Sequence, residues 1–329
     1  MPTWSSIFFL TRCPDEGVRT VIRFPKTLLL PLLLTLCSGV ITAQVQPATS
    51  QASAPEMRFA LKDNAVRWAV IGDNGTGEAP EQAVANQMQR YWTVAHFDFV
   101  TMDGDNIYGG HRPSDFHNKF ELPYKPLLDE GVKFYACLGN HDDPGLEENY
   151  KPFSMGGNRY YTFRKGDVQF FVLDSNYMDP AQLDWLTDKL KSSDAGWKIA
   201  YFHHPLYTAA AFHGPDVDLR NQLMPLFQQY GVNAVWSGHE HVYEHLKPQD
   251  GINFFLVGNS GELRFNNIRK PNDLDIVGFD TDRTFMLVQI AGNQLDYQTI
   301  SAAGKIVDSG ALSRQNKPAA LASSPGATK

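Results

Sequence analysis

The sequence contains few cysteines. Its 329 residues include three, Cys13, Cys37 and Cys137, and only Cys137 follows the apolar segment near the N-terminus. The chain beyond that segment therefore has no second cysteine for a disulfide and no thiolate cluster of the kind that holds structural zinc. Cys137 lies in an apolar run before Gly139, and we interpret it as a small buried hydrophobic residue; a redox role is the lesser alternative.

The sequence also lacks a glycine-rich phosphate-binding loop, internal repeats and an excess of basic residues. It has 29 Lys and Arg against 36 Asp and Glu, which gives a formal charge of −7. The missing loop leaves nucleotide binding by that route unsupported. The net negative charge argues against nucleic acid as a permanent binding partner. Hydrophobic residues make up 43% of the chain, which suffices for a substantial core.

No long uninterrupted apolar run occurs near the N-terminus. The leucine-rich run Thr27–Leu36 is short for a membrane span and is interrupted by Pro31. Basic residues precede it and small residues follow it. This pattern predicts a signal peptide over residues 1–43, cleaved after Ala43, with export to the periplasm or secretion and no stable membrane span after cleavage. A downstream translation start, a lipidated Cys37 and an uncleaved anchor are alternatives that the pattern favours less.

The rest of the chain divides into a flexible linker over 44–62, one folded domain over 63–312 and a disordered tail over 313–329. Strand and helix patterns alternate along the domain, which predicts an α/β fold in which two mixed sheets form a sandwich flanked by helices. The predicted helices are Pro80–Ala95, Ser114–Phe120 and Asp179–Ser192; the predicted hairpin is Tyr160–Phe163 with Val168–Leu173; the later strands are Phe254–Val257, Phe285–Ile290, Gln294–Thr299 and Lys305–Val307.

Five short polar runs each follow a stretch that is built like a buried strand. Because hydrophobic strands that end in Gly with Asp, Asn or His place polar groups on one rim of a sheet, we expect these runs to build one site. One such run would be a turn, but five in order indicate a site. The runs are Gly72–Gly75, Gly104–Tyr108, Gly139–Asp142, His203–Pro205 and Gly238–His241.

The side chains in these runs indicate which metals the site would bind. Carboxylate, amide, imidazole and phenol groups without a thiolate suit hard or borderline first-row ions. Seven ligands are too many for one ion and fit two ions that share a carboxylate, for which Asp105 is the natural choice. A phenol has a pKa of about 10, so Tyr108 would ligate at lower pH only on a strongly charged ion such as Fe(III).

The order of these motifs resembles that of the purple acid phosphatases, a branch of the calcineurin-like metallophosphoesterases, and is nearer the small mammalian-type, tartrate-resistant enzymes than the large plant ones. GDxG, GDxxY, GNH(D/E) and GHxH are matched, and Ala200 replaces the usual Val of VxxH. The resemblance covers roughly Val66 to Gly310. Most metallophosphoesterases carry a histidine where this chain has Gly75, and Tyr108 would supply the missing ligand. The resemblance implies a four-layer α/β/β/α sandwich.

The resemblance also implies two metal shells and two catalytic histidines. Fe(III) would be held by Asp73, Asp105, Tyr108 and His241, and a divalent ion (Zn, Fe or Mn) by Asp105, Asn140, His203 and His239. His141 and His213 match histidines that contact the phosphate and help to protonate the leaving oxygen. Asn74, Asn106 and Asp142 would orient the ligands or would serve only as turn residues.

The remaining histidines have simpler interpretations. A single histidine in a loop is usually a surface residue or a neighbour of the ligands, and we interpret His96, His111, His117 and His245 in this way. His111 and His117 follow the Tyr108 run and could border the cleft. His204 is interpreted as a packing or hydrogen-bonding residue beside His203.

These observations predict a metal-dependent acid phosphatase that hydrolyses phosphate monoesters by in-line attack of a metal-bound hydroxide on a small phosphorylated substrate. A phosphodiesterase or nucleotide hydrolase on the same metal core is the nearest alternative, and the size of the pocket near Gly109–Asp115 and Ala209–Asp216 would distinguish them. A non-catalytic iron-binding or redox protein is a further alternative. Intact His141 and His213 argue against it, because metal storage needs neither.

Overall fold

The computed structural model describes residues 54–314. The predicted signal peptide, most of the linker and the tail beyond Arg314 fall outside these residues. Within them, no helix has the length and apolar character needed to cross a bilayer.

The first sheet has six strands and carries the first three polar runs. Its order is β13-β12-β11-β1-β2-β3, and β1, β2 and β3 are parallel whereas the other neighbours are antiparallel. The strands are β1 Val66–Ile71, β2 Phe99–Met102, β3 Lys133–Ala136, β11 Thr284–Ala291, β12 Gln294–Ser301 and β13 Ile306–Ser313.

The second sheet has seven strands and carries the two histidine runs. Its order is β10-β8-β9-β7-β6-β5-β4, with β5, β6, β7 and β9 parallel. The strands are β4 Tyr161–Lys165, β5 Val168–Val172, β6 Trp197–Tyr201, β7 Ala234–Ser237, β8 Tyr243–Leu246, β9 Asn253–Val257 and β10 Asp275–Phe279. The hairpin of β4 and β5 is antiparallel, as predicted.

Aromatic side chains fill the space between the two sheets. The ring centroid of Trp68 on β1 lies 5.3 Å from that of Phe170 on β5 and 5.9 Å from that of Trp236 on β7. Side chains alternate along a strand, so Trp68 and Val70 face this central core whereas Ala69 and Ile71 face the outer core on the other side. Both faces of the strand are therefore buried, which explains its continuous apolar sequence.

Helices cover the two outer faces of the sandwich. They are α1 Ala79–Ala95, α2 Pro113–Phe116, the π-helix His117–Glu121, α3 Lys125–Asp129, α4 Pro144–Glu147, the 3-10 helix Lys151–Phe153, α5 Pro180–Ser192 and α6 Val217–Tyr230. Buried residues of α1 pack on the first sheet and those of α5 and α6 pack on the second. The predicted four-layer α/β/β/α arrangement with two mixed sheets is confirmed.

The sequence analysis predicted two helices well and missed α6. It placed α1 and α5 within one residue of their observed bounds. Asp179 caps the N-terminus of α5, because its carboxylate accepts a hydrogen bond of 2.8 Å from the backbone N–H of Gln182. Helix α6 contains Pro225, which interrupts a helical pattern. The sequence did contain two indications of where α6 begins and ends: Asp216, which caps its N-terminus, and Gly231, which ends it in a left-handed conformation.

Candidate metal centre

The five polar runs meet at the carboxyl ends of β1, β2, β3, β6 and β7. Three of the candidate ligands have left-handed backbone conformations that are uncommon outside glycine: Asp73 (φ 51°), Asp105 (φ 53°) and His239 (φ 70°). Such strained turns are concentrated at functional sites. The turns depend on neighbouring glycines, because a Cβ on Gly139 would lie 2.2 Å from Oδ1 of Asp105 and one on Gly238 would lie 2.4 Å from Oδ2 of Asp73.

One group of candidate ligands surrounds the carboxylate of Asp73. The phenol oxygen of Tyr108 lies 3.2 Å from Oδ1 of Asp73 and 3.3 Å from Nε2 of His241. Nε2 of His241 lies 3.4 Å from the same carboxylate oxygen. The ligating atoms of Asp73, Asp105 and His241 all lie within 4.8 Å of one another, a spacing that could hold a metal ion.

A second group surrounds the imidazole of His203. Nε2 of His203 lies 3.1 Å from Oδ1 of Asn140, 3.2 Å from Nδ1 of His239 and 3.4 Å from Oδ1 of Asp105. Asp105 thus lies between the two groups. The structure brings all seven candidate ligands together at this edge, with Asp73, Asp105 and His203 buried and Asn140 exposed.

The atoms that converge on His203 are chemically suited to a cation. Nδ1 of His203 lies 3.0 Å from the backbone carbonyl oxygen of Asp103, which can only accept, so this nitrogen carries the proton in the neutral ring. Nε2 then directs a lone pair towards the oxygens of Asn140 and Asp105. Hydrogen bonding that fixes one ring nitrogen and leaves the other free is typical of metal-binding histidines. The residues fit the implied metal ions.

The charges at this edge alter the titration of the candidate ligands. Burial lowers the pKa of His203, but the carboxylates of Asp105 and Asp73 outweigh it and the net pKa is raised. Burial raises the pKa of the Tyr108 phenol, and the charges of Asp73 and Asp105 raise it further. A phenolate would therefore form here only with a cation to stabilise it.

The two candidate catalytic histidines lie on opposite sides of the ligands. The ring centroid of His213 is 4.1 Å from that of His239, and the ring centroid of His141 is 4.9 Å from that of Tyr108. Both side chains are exposed, so the site opens to solvent on their side. Partial burial of the ring is the main cause that lowers the pKa of His213 from 6.5; the charge of Arg264 lowers it further, and the charge of Glu240 opposes the shift.

A cleft of about 430 Å³ opens beside His213. Its size falls within the range that is usual for small-molecule sites. The 209–216 segment, which the sequence analysis expected to shape the pocket, supplies most of its lining. The lining residues are His204, Pro205, Phe212, His213, Gly214, Pro215, Asp216 and His239.

Asp142 connects the second and third polar runs. Its carboxylate accepts hydrogen bonds from the backbone N–H groups of Asn106 (2.7 Å), Ile107 (3.1 Å) and Gly139 (2.7 Å). The side-chain amide of Asn106 donates to Asp142 at 2.8 Å and to Glu147 at 3.1 Å. These bonds fix the backbone beside Asp105, Tyr108 and Asn140. Asn74 is fully buried behind the site.

The remaining histidines occupy varied environments. His96 and His117 are exposed, and His204 bonds to Oγ of Ser175 at 2.9 Å. Nε2 of His111 lies 3.0 Å from the buried carboxylate of Glu147. The surface interpretation was wrong for His245, which is buried with its Nδ1 3.0 Å from Oδ2 of Asp308. The local sequence could not indicate this contact, because Asp308 is distant in the sequence.

The sequence analysis did not identify several residues that shape the site. Glu240 lies between two candidate ligands, and that position was the only indication of its importance. Phe212 lines the cleft and is stacked against Arg264. No motif marks Phe212 or Arg264, because their contact depends on the pairing of two segments that are far apart in the sequence.

The sequence matches known proteins along most of its length. A family model described as calcineurin-like phosphoesterase matches residues 66–243. Tartrate-resistant acid phosphatase type 5 of Rattus norvegicus is 26% identical over 301 residues, covering 77% of this chain and 92% of the relative. Purple acid phosphatase 17 of Arabidopsis thaliana is 28% identical over 249 residues, covering 64% of this chain and 73% of the relative.

A solved structure has the same fold. Purple acid phosphatase PPD1 from yellow lupin (Lupinus luteus) seeds superposes with a TM-score of 0.63 at 20% identity, covering 79% of this chain and 55% of that chain. At this identity the likeness concerns the fold alone.

Proposed function

The chain belongs to the calcineurin-like phosphoesterase family and is a hydrolase of phosphate esters, and we propose that it is an acid phosphatase that cleaves phosphate monoesters. The predicted resemblance to purple acid phosphatases is confirmed, and these relatives imply a dinuclear metal centre. In our proposal Fe(III) is held by Asp73, Asp105, Tyr108 and His241, and Zn, Fe or Mn is held by Asp105, Asn140, His203 and His239.

The observation that carries the proposal is the convergence of lone pairs from both sheets. Oxygen and nitrogen atoms of Asp105, Asn140 and His239 surround Nε2 of His203 at 3.1–3.4 Å. When Nδ1 of His203 carries the proton, Nε2 offers a lone pair beside the oxygens of Asn140 and Asp105, and a cation among these atoms would be coordinated by all three. The hard phenol and carboxylate groups gather beside Asp73, which supports the harder ion there.

When bound, two ions of this kind lower the pKa of water, polarise a phosphoryl oxygen and stabilise both the attacking and the leaving oxygen of an in-line displacement. The protein must then supply a proton to the leaving oxygen. His213 faces the cleft and, as an imidazolium, would donate its ring N–H proton to the departing alkoxide. His141 lies on the other side beside Tyr108, where its ring can contact the phosphate.

We also propose that the protein is exported. The signal peptide over 1–43, the linker over 44–62, the catalytic domain over 63–312 and the tail over 313–329 remain the domain assignment. Cys137, the one cysteine of residues 54–314, is buried, so the described part of the protein would present no thiol to an oxidising exterior.

Metal analysis of the purified protein combined with assays on matched esters tests the proposal. We expect close to one iron and one further metal per chain, hydrolysis of phosphate monoesters in acid, and much slower hydrolysis of diesters with the same leaving group. A protein with two metals that prefers diesters would instead be a phosphodiesterase on this core. Full metal content without any hydrolysis would support the iron-binding alternative.

A further inference from the structure

A backbone hydrogen bond closes the loop that carries His213. The N–H of Asp216 donates to the carbonyl oxygen of Pro205 at 2.8 Å, so the two ends of the loop meet. Pro205 directly follows His204, and both His204 and Asp216 line the cleft beside His213. The bond therefore holds His204 and Asp216 on neighbouring parts of the cleft wall.

The ring of His204 offers a hydrogen-bond donor to the cleft. Oγ of Ser175 accepts a hydrogen bond of 3.0 Å from the backbone N–H of His204 and lies 2.9 Å from Nδ1 of its ring. A hydroxyl has a single hydrogen, and within residues 54–314 Nδ1 is the only acceptor that this hydroxyl reaches, so Ser175 donates to Nδ1. Nε2 then carries the hydrogen of the neutral ring, and the imidazolium carries it there too. No group in the described part of the chain accepts this hydrogen.

The carboxylate of Asp216 offers an acceptor to the same cleft. Its Oδ1 caps α6 by accepting a hydrogen bond of 2.8 Å from the backbone N–H of Leu219. Its Oδ2 has no partner among the described residues, and the residue is only half-buried. An ionised carboxylate accepts hydrogen bonds through both oxygens. One unused donor and one unused acceptor thus lie on the wall of the cleft.

Hydroxyl groups match both of these atoms. A hydroxyl can accept from an imidazole N–H and can donate to a carboxylate, whereas an alkyl group can do neither. The negative charge of Asp216 would repel an anionic leaving group. Pro205, Phe212 and Pro215 supply apolar lining on which a carbon skeleton can pack. The cleft therefore suits a neutral leaving group that carries several hydroxyls.

We propose that His204 and Asp216 form a leaving-group subsite that favours phosphate esters of neutral polyols, such as glycerol or a sugar, over esters of plain alkyl alcohols. The inference rests on the proposed function, because it assigns a leaving-group position in the same cleft. One hydroxyl of the polyol accepts a hydrogen bond from Nε2 of His204, and a second hydroxyl donates to Oδ2 of Asp216.

Non-hydrolysable phosphonates test this subsite without turnover. We would measure calorimetric affinities of the metal-loaded protein for 3,4-dihydroxybutylphosphonate, which has the chain length of glycerol phosphate, and for butylphosphonate, with inorganic phosphate as the reference ligand. Each net hydrogen bond is worth about a 2- to 12-fold gain in affinity. With two such bonds, the dihydroxy ligand should bind more tightly than butylphosphonate by roughly fivefold or more.

Asp216→Asn and His204→Phe should each reduce this gain. Asparagine is also a good N-cap, so Asp216→Asn keeps the cap of α6 and presents an amide N–H group where the unused oxygen was. Phenylalanine at position 204 keeps a ring and removes the donor. Both variants should still bind inorganic phosphate, which has no leaving group. The two substitutions alter different elements, so misfolding of one variant leaves the other as a test.

Asp179→Asn is the matched control. Asp179 caps α5 in the same way but does not line the cleft, so this variant should keep the full gain. Equal affinities for the two phosphonates in the wild type, or an unchanged gain in both subsite variants, would overturn the proposal. Loss of the gain in Asp179→Asn would also overturn it, because the effect would not depend on the cleft. Failure of the proposed function has a different readout, namely the expected binding preference without hydrolysis of any monoester.

Discussion

The carboxylate of Glu240 accepts a hydrogen bond of 2.6 Å from the backbone N–H of His213. The same oxygen accepts a bond of 2.7 Å from Gly214, and the other oxygen accepts one of 2.6 Å from the side chain of Asn267. Glu240 stands between the candidate ligands His239 and His241. One buried carboxylate therefore fixes the loop of the candidate general acid to the turn that would bind both metals.

His213→Ala should retain both metals and lose turnover. General acid help is typically worth about 10²- to 10⁴-fold, and the loss should be large for alkyl phosphates and small for aryl esters with acidic phenols. In the proposed mechanism the imidazolium is the active form, so the wild-type rate on alkyl phosphates should fall as pH rises through a pKa below 6.5. Wild-type rates of the variant on both ester classes would leave His213 without a catalytic role.

Glu240→Ala should reduce activity through the position of His213. The substitution leaves two partly buried backbone N–H groups and the buried side-chain amide of Asn267 without their acceptor. An unsatisfied group that is buried costs about 1–3 kcal/mol, and the two partly buried groups should cost less because water can reach them. We expect kcat to fall more, relative to wild type, on alkyl phosphates than on aryl phosphates, as in His213→Ala. Glu240→Gln keeps one accepting oxygen and should lie between wild type and alanine. A uniform loss on all esters would point to metal loss instead, which metal analysis would reveal.

Tyr108→Phe should remove colour while iron remains bound by the other ligands. A phenolate on Fe(III) gives a charge-transfer band, so the oxidised wild-type protein should be pink to violet. The visible absorption spectrum, normalised to iron content, is the measurement. A wild-type protein that binds iron stoichiometrically and is colourless would contradict the assignment of Tyr108.

Asp105→Ala and Asn140→Ala should differ in the metals that they lose. Asp105 lies within reach of both groups of ligands, whereas Asn140 lies beside His203 alone. We therefore expect loss of both ions in Asp105→Ala and chiefly of the divalent ion in Asn140→Ala, measured as metals per chain in folded protein. Selective loss of the same single ion in both variants would contradict a shared carboxylate.

Glu81→Gln should make stability less dependent on pH. Burial raises the pKa of Glu81 to about 8 from 4.5, although hydrogen bonds from Gly77 and Thr76 oppose the rise. A carboxyl with a raised folded-state pKa contributes stability that is present below about pH 4.5 and lost as pH rises through about 8. The free energy of unfolding should fall by on the order of a few kcal/mol between about pH 4.5 and about pH 8.

The measurement for Glu81 is the free energy of unfolding by urea across that pH range. Glu81→Gln should flatten the profile because an amide does not ionise. Glu78→Gln, at an exposed position one turn earlier, is the control and should keep the wild-type slope. Identical slopes in wild type and Glu81→Gln would show that Glu81 does not control the profile.

The sequence predicted the site better than its surroundings. Strand runs that end in Gly-Asp or Gly-His carry local information, because the apolar run specifies the strand and the glycine permits the close turn beside the ligands. The environment of His245 depends on Asp308, and the stacking of Phe212 depends on Arg264. Such contacts arise from the pairing of distant segments, which no local pattern encodes.

In the proposed centre, the ligands Asp73, Asp105 and Asn140 follow strands of the first sheet, whereas His203 and His239 follow strands of the second. Bound ions would then act as a removable cross-link between the two halves of the sandwich. A ligand that binds only the folded state adds about 2.7 kcal/mol to the free energy of unfolding when its free concentration is 100 times its dissociation constant. Chelation would accordingly loosen the joint between the sheets as well as abolish turnover, and the metal supply of the surroundings would help to set the lifetime of the folded protein.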